Sequence, residues 1–270
     1  PASDSPDQLA GDAVVYGAWP AAGLELLAFG PHPDDVELFC GGLVTASARR
    51  GYRVGIADLT AGELASNGDV MTRRSEAAAA AAVMGVDCRF NLGLPDGGLS
   101  AQDDETMRAV VSMLRRTRPE VVLAPWQRAR HPDHSAASAL LTRAAFLSGL
   151  RRYAPALGAP FRPGRVLYYP MRHALTPSFL VDITEVIDTV QQAIACHASQ
   201  VGQVGRGGHK TLVGASDAVE VLAARARTWG AMIGVRFAEA YHMAEAVAVA
   251  DPIDHLRRHA AGPAHLFGES

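Results

Sequence analysis

From Leu24 to Leu150 the chain alternates short apolar runs with longer helix-patterned segments, and this alternation limits its fold more than any other feature. LELLAFG, YRVGIADLT, CRFNLGL and EVVLAPW are brief, apolar or β-branched, and bounded by turn residues, as buried strands are. After the first comes VELFCGGLVTASARRG, ended by Gly51; after the second comes the alanine-dense TRRSEAAAAAAVMGV. ETMRAVVSMLRRTRP follows the third, with Met107, Val110, Val111 and Leu114 on one helical face and Pro119 as its stop. HSAASALLTRAAFLSGL follows the fourth. Strand and helix in such succession predict a parallel sheet covered on both faces. Right-handed crossovers then make it a Rossmann-like, doubly wound α/β fold, with a mostly parallel sheet flanked by helices. Residues 1–22 read as an N-terminal arm and 23–270 as a single domain.

Sheets of this kind bind ligands beyond the carboxyl ends of their strands. Two clusters sit there: Pro31-His32-Pro33-Asp34-Asp35 after the first strand and Arg130-His131-Pro132-Asp133-His134 after the fourth. A catalytic zinc takes three N/O protein ligands and leaves a fourth position in which a water becomes acidic near neutral pH. His32 and Asp35, three residues apart, can aim at one point, and His134 can supply the third donor from the other loop. Asp34 is then free to act as general base. His131 can stabilise the oxyanion or protonate the leaving group, with Asp133 fixing the His131 tautomer. Taken singly, Asp34 or Asp35 is equally a helix N-cap, and an HPD segment equally an ordinary turn. The recurrence of the cluster at two predicted strand ends favours a site. With no cysteine or hydroxyl in either cluster, the nucleophile is expected to be water rather than a side chain. Two imidazoles and a carboxylate suit one Zn2+ per chain, while Fe2+ or Co2+ would also fit.

Composition excludes other classes. A net charge of −3 and the lack of a dense Lys/Arg stripe give no footprint for nucleic acid. Cys40, Cys88 and Cys196 are scattered, so neither a disulfide framework nor a cysteine-built zinc site is expected, and a reducing cytoplasm suits them. The first residues carry acids and no basic lead, unlike a secretory signal, and the longest apolar run, Ala77 to Val86, is too short to span a bilayer. Gly41-Gly42 lacks the spacing of a dinucleotide fingerprint.

With these motifs in view, the chain resembles the LmbE-like (PIG-L) family of zinc-dependent N-deacetylases, whose hallmark is the pair HPDD and HPDH. Further stretches, DLTAGELASNG, LGLPDG, PSFLVDIT, Ser199-Gln200 and GVRFAEAY, are most similar to the branch that deacetylates N-acetylglucosaminyl-malate in bacillithiol biosynthesis. The resemblance implies His32, Asp35 and His134 as zinc ligands, Asp34 as general base, and His131 and Asp133 as transition-state partners. It also implies Arg73 on the sugar or its acidic aglycone, with Glu63 and Asp96 on sugar hydroxyls. The plain alternatives are a solvated arginine at a helix start, where a cation is poorly placed, and turn-forming acids. A homo-oligomer, a hexamer among its forms, is implied as well. Two departures bear on substrate choice: Ser66-Asn67-Gly68 replaces a common Thr-Arg-Gly, and Ala218 stands near where a tyrosine is usual. Mycothiol precursors, chitooligosaccharides and glycopeptides are therefore alternative substrates, and a metal- and sugar-binding protein without turnover is an alternative role. His197 reads as a surface or interface histidine, the GRGGHK segment as a lid loop, and Arg162 and Arg165 as contacts for a carboxylate or a second subunit, or as ordinary solvated surface.

Overall fold

The structure, a computed structural model, describes residues 14–16, 19–173, 175–201, 208–209, 211 and 218–258. Its elements run β1 (Val14–Tyr16), β2 (Leu26–Gly30), α1 (Asp35–Arg49), β3 (Val54–Thr60), α2 (Val70–Met84), β4 (Cys88–Leu94), α3 (Asp104–Thr117), β5 (Val121–Pro125) and α4 (Pro132–Ser148). There follow β6 (Arg165–Tyr169), β7 (Phe179–Asp182), α5 (Ile187–Cys196), α6 (Ala218–Ile233), β8 (Ala238–Met243) and α7 (Pro252–Arg258). The strands join in the order β1-β4-β3-β2-β5-β6-β8-β7. The run from β4 to β6 is parallel, and the outer pairings are antiparallel. This is the expected doubly wound α/β fold. From β2 the chain winds outward through β3 and β4, then returns through α3 to β5 on the other side of β2. The switch point therefore lies between β2 and β5, where both His–Asp clusters begin.

Side chains alternate across the sheet. Leu26, Ala28, Val54 and Ile56 enter one core with α1, α2, α5 and α6. Leu27, Phe29, Ala57, Leu59, Val122 and Ala124 enter the other with α3 and α4. Helix starts follow local chemistry. Asp69 caps α2 by accepting from the Thr72 N–H at 2.7 Å, and Asp103 caps α3 by accepting from Thr106 N–H at 2.7 Å. Gly85, at φ 71°, ends α2 in a left-handed turn.

Helix α1 breaks at Cys40, whose φ of −146° and ψ of 15° leave the helical region. The Glu239 carboxylate from β8 caps the restarted half, accepting from Gly42 N–H at 2.7 Å and Leu43 N–H at 2.8 Å, with the Tyr241 hydroxyl at 2.6 Å. Gly42 permits this approach, since a Cβ there would lie 2.5 Å from Ile183 Cγ2. At Gly41 a Cβ would lie 3.1 Å from Val190 Cγ1 of α5, so the pair serves close packing. At the other margin, Val14–Tyr16 pairs with β4 and Trp19 packs on Phe90 with ring centroids 4.7 Å apart. Among the described residues no helix is long and apolar enough to cross a membrane.

Candidate active site

The loop after β2 is held from three sides. Thr60 at the end of β3 donates to Pro31 O through both its N–H, at 3.1 Å, and its hydroxyl, at 3.0 Å. Arg73 in the first turn of α2 donates to Pro33 O at 2.6 Å and to Gly62 O at 3.4 Å, and its Nη2 lies 3.4 Å from Asp34 Oδ1. Asp35 folds the turn back on itself, its Oδ2 accepting from the His32 N–H at 3.0 Å. Asp34 stands at φ 138°, a region that favours glycine. Strain of this kind persists only where the surroundings enforce it, and it concentrates at functional positions.

Three donor atoms converge at this turn. His32 Nδ1 and His134 Nε2 each lie 3.2 Å from Asp35 Oδ2, and they are 3.3 Å apart. A tetrahedral centre with bonds of about 2.0–2.2 Å has ligand edges of roughly 3.3–3.6 Å, so these atoms can share one small cation with little movement. The charge environment agrees. Burial alone would lower the His32 pKa, but the Asp133, Asp35 and Asp96 carboxylates overcome it and push it up to about 12. For Asp35, burial works upward and the His134 and His32 imidazoles outweigh it, leaving the carboxyl well below its usual range. A pocket with this surplus of carboxylate is suited to a cation.

The far edge of His32 explains two further acids. Its Nε2 lies 3.2 Å from Asp96 Oδ1 and 3.4 Å from Asp133 Oδ2, which holds a proton on Nε2 and aims Nδ1, once that atom gives up its own proton, at the converging donors. Asp96 also accepts from the Leu64 N–H at 3.0 Å, and its own N–H donates to Glu63 Oε1 at 2.8 Å. Burial would raise Asp96, yet His32 and the Leu64 amide bring it down to about 2. Asp133 accepts from the Gly97 N–H at 2.6 Å and the Leu99 N–H at 3.3 Å.

The structure thus brings together His32, Asp34, Asp35, Asp96, His131, Asp133 and His134, and it redistributes several tasks. The Asp133 carboxylate is directed to His32 and the loop after β4, not to His131. His131 instead caps α4, its Nδ1 accepting the Asp133 N–H at 3.3 Å, which leaves Nε2 as the donor edge of the neutral ring. Burial first, then the neighbouring His32 and His134, lower its pKa, so the ring is neutral near pH 7. Arg73 is only 4% exposed and faces carbonyls of the site's own loops, so it braces the turn instead of opening toward a sugar. Asp96 is likewise engaged by protein groups; Glu63 is exposed. Asp34 lies beside the donors without joining their convergence, and its burial raises the pKa against the lowering influence of Arg73.

Other expectations change more. His197 is fully buried, not at the surface, at the C-terminal end of α5. Arg165 begins β6 and so lies at the sheet end opposite the site, and the Arg162 guanidinium stacks 4.4 Å over Phe146. Asn67, in place of the usual arginine, exchanges two hydrogen bonds with the His209 backbone at 2.9 and 2.8 Å. Most of GRGGHK lies outside the described residues, so the lid reading does too. Ala218 opens α6 and is buried. Sequence reading missed Gly62, whose φ of 68° and empty Cβ position leave room for Arg73; a Cβ would sit 1.9 Å from Nη1. The nearby GEL turn was its one visible trace.

Comparison with known proteins supplies an independent line. Residues 27–145 match the family model described as PIG-L: GlcNAc-PI de-N-acetylase. The crystal structure of the conserved protein TT1542 from Thermus thermophilus superposes with a TM-score of 0.75 at 41% identity, covering 85% of this chain and 98% of that one. A diacetylchitobiose deacetylase of Thermococcus kodakarensis is 28% identical over 187 residues, 65% of this chain and 70% of its own length. A 1D-myo-inositol 2-acetamido-2-deoxy-alpha-D-glucopyranoside deacetylase of Saccharopolyspora erythraea is 30% identical over 185 residues, 56% of this chain and 66% of its own.

Proposed function

The chain belongs to the PIG-L family, and from that membership and the site geometry we propose that it is a zinc-dependent N-acetyl-sugar deacetylase whose substrate is a glucosamine conjugate with an acidic aglycone, of the N-acetylglucosaminyl-malate type. The observation that carries the reading is the convergence of His32 Nδ1, Asp35 Oδ2 and His134 Nε2 within 3.2–3.3 Å of one another beside an unshared, strained carboxylate, Asp34. A zinc ion bound by those three residues supplies Lewis-acid polarisation of the acetyl carbonyl and makes a water acidic near neutral pH.

The residues of the chain divide the remaining work. Asp34 takes a proton from the attacking water as its oxygen bonds to the carbonyl carbon, and returns that proton to the sugar nitrogen as the C–N bond breaks. The remaining proton of the added water passes from the new carboxyl group to the amine, so that acetate and the ammonium form of the sugar leave. Burial raises the Asp34 pKa toward the range in which both transfers are feasible. Neutral His131 presents its Nε2–H to the oxyanion that develops on the acetyl oxygen. Asp96 and Asp133 keep the His32 tautomer that ligation requires, and Arg73 sets the Asp34 turn.

The acidic aglycone is supported by two exposed arginines, Arg130 ahead of His131 and Arg172 after β6. Burial and the proximity of Arg130 lower the Arg172 pKa, which places two like charges near each other on the same side as Asp34 and Asp35. A carboxylate ligand relieves that repulsion. The deacetylases it resembles act on diacetylchitobiose and on an inositol glucosaminide, so the decisive assay is comparative. Acetate release by the zinc-loaded protein should be fastest from N-acetylglucosaminyl-malate, ahead of diacetylchitobiose and N-acetylglucosamine. A reversed order would remove the acidic aglycone from the reading. No release from any of them would leave a protein that binds metal and sugar without turnover.

A further inference from the structure

Directly beneath the metal-binding turn lies a buried charged network for which hydrolysis has no direct use. Glu37 sits two residues after Asp35, in the first turn of α1, and is fully buried. Its Oε1 accepts from Arg89 Nη1 at 2.5 Å. Arg89, on β4 and itself 0% exposed, spends its other edge on Asp58 of β3, with Nε to Oδ2 at 2.8 Å and Nη2 to Oδ1 at 2.9 Å. Nη1 also donates to Ala77 O in α2 at 3.1 Å. His197 at the end of α5 brings Nε2 to 3.1 Å from the same Glu37 oxygen. One guanidinium thus ties α1, α2, β3 and β4 together, just where β2 runs into the His32 loop. The closeness is direct: a Cβ on Gly30, the last residue of β2, would lie 3.5 Å from Asp58 Oδ1.

Stability does not account for such a group. Burying a guanidinium and two carboxylates carries a desolvation penalty, and apolar residues of similar volume commonly hold a fold as well or better. What the ion pairs add is direction. Asp34 and Asp35 begin α1, and the orientation of that first turn decides whether Asp35 Oδ2 meets the two imidazoles.

We propose that Glu37 is a positioning residue for the metal-binding turn, anchored through the Arg89 fork to Asp58. The proposal rests on the reading of His32, Asp35 and His134 as a zinc site, and its test begins with zinc itself. Zinc affinity is measured by chelator competition on the full chain, per folded molecule, beside a thermal melt. Glu37→Gln keeps an oxygen for Arg89, and Glu37 Oε2 has no hydrogen-bond partner among the described residues, so the amide nitrogen displaces nothing. That variant should hold zinc within about threefold of wild type, because the tether survives. Glu37→Leu removes the tether and should weaken zinc roughly 10–100-fold, the usual scale for groups that orient ligands. In the acetate-release assay its kcat should fall while KM stays. Should Glu37→Leu fail to fold, Arg89→Lys decides: it keeps the charge, loses the planar fork, and should weaken zinc by about tenfold. Glu37→Leu or Arg89→Lys folded, with wild-type zinc affinity, would overturn the proposal. A wild-type chain that takes up no zinc would overturn it together with the metal reading, and that failure is recognised in the wild-type titration alone.

Discussion

The two loops that share the motif His-Pro-Asp are built to opposite standards. The one after β2 is buried at His32, Asp34 and Asp35, stitched to β3 through Thr60 and to α2 through Arg73, and forced into a backbone angle that aspartate rarely takes. The one after β5 is a helix start: Pro132 opens α4, His131 caps it, and both are exposed, with only Asp133 fully buried. The contrast teaches how the labour is split. Two of the three converging donor atoms and the adjacent Asp34 carboxylate sit in the rigid loop, while His134 and His131 come from the more accessible one.

That contrast can be broken or sharpened. The largest effect belongs to the rigid loop's unshared acid: Asp34→Asn should cut kcat by about 10²–10⁴ while leaving zinc content intact, as seen by acetate release and metal analysis side by side. Full activity would end the division of labour. Next come the carboxylates joining the loops through His32: Asp96→Asn or Asp133→Asn should lower zinc affinity roughly 10–100-fold, against no change if they serve the sugar instead. The third concerns protons. The His32 pKa of about 12 lies above any working pH, so the metal-free site carries a proton that zinc must displace. Zinc affinity should therefore rise with pH, by about tenfold per unit between pH 6 and 8 for one displaced proton, with proton release visible in buffers of different ionisation enthalpy. A flat profile would show that His32 is neutral before binding. The smallest effect is at Glu63, exposed and accepting from the Asp96 amide. Glu63→Gln retains that acceptor and should change kcat/KM by about twofold at most; a tenfold loss would give the exposed rim a part in sugar binding.

Much of this was legible in the sequence because period and punctuation carry it. The LELLAFG, YRVGIADLT, CRFNLGL and EVVLAPW runs form β2 to β5, and both His–Asp clusters lie at the strand ends where the switch-point rule puts a ligand site. The antiparallel edge of β6, β8 and β7 was not legible, since its strands are short, β7 and β8 lie some fifty-five residues apart in the chain, and the three pair out of chain order. Which residues cluster at the site was readable from residue type and position. Direction was not: Asp133 and Arg73 are the right residues near the right loops, but which neighbour each faces depends on the packing of α2, α4 and the loop after β4. His197 shows the same limit, since a helical pattern tells which face a residue shares and not what covers that face. Arg89 hid inside CRFNLGL, where a lone arginine in a strand gave no sign of its two buried carboxylates.

The capping of α1 by Glu239 has a consequence for how the molecule comes into being. The helix that presents Asp35 is made well before its cap, since two of its amides find their acceptor only in a strand that begins at Ala238. A chain truncated before that point leaves the second half of the helix uncapped, so the helix that presents Asp35 takes its final shape only once β8 is in place. Trimming back to the end of β8 and cutting within β8 are therefore different operations, since only the second reaches back across some two hundred residues to the helix that presents Asp35.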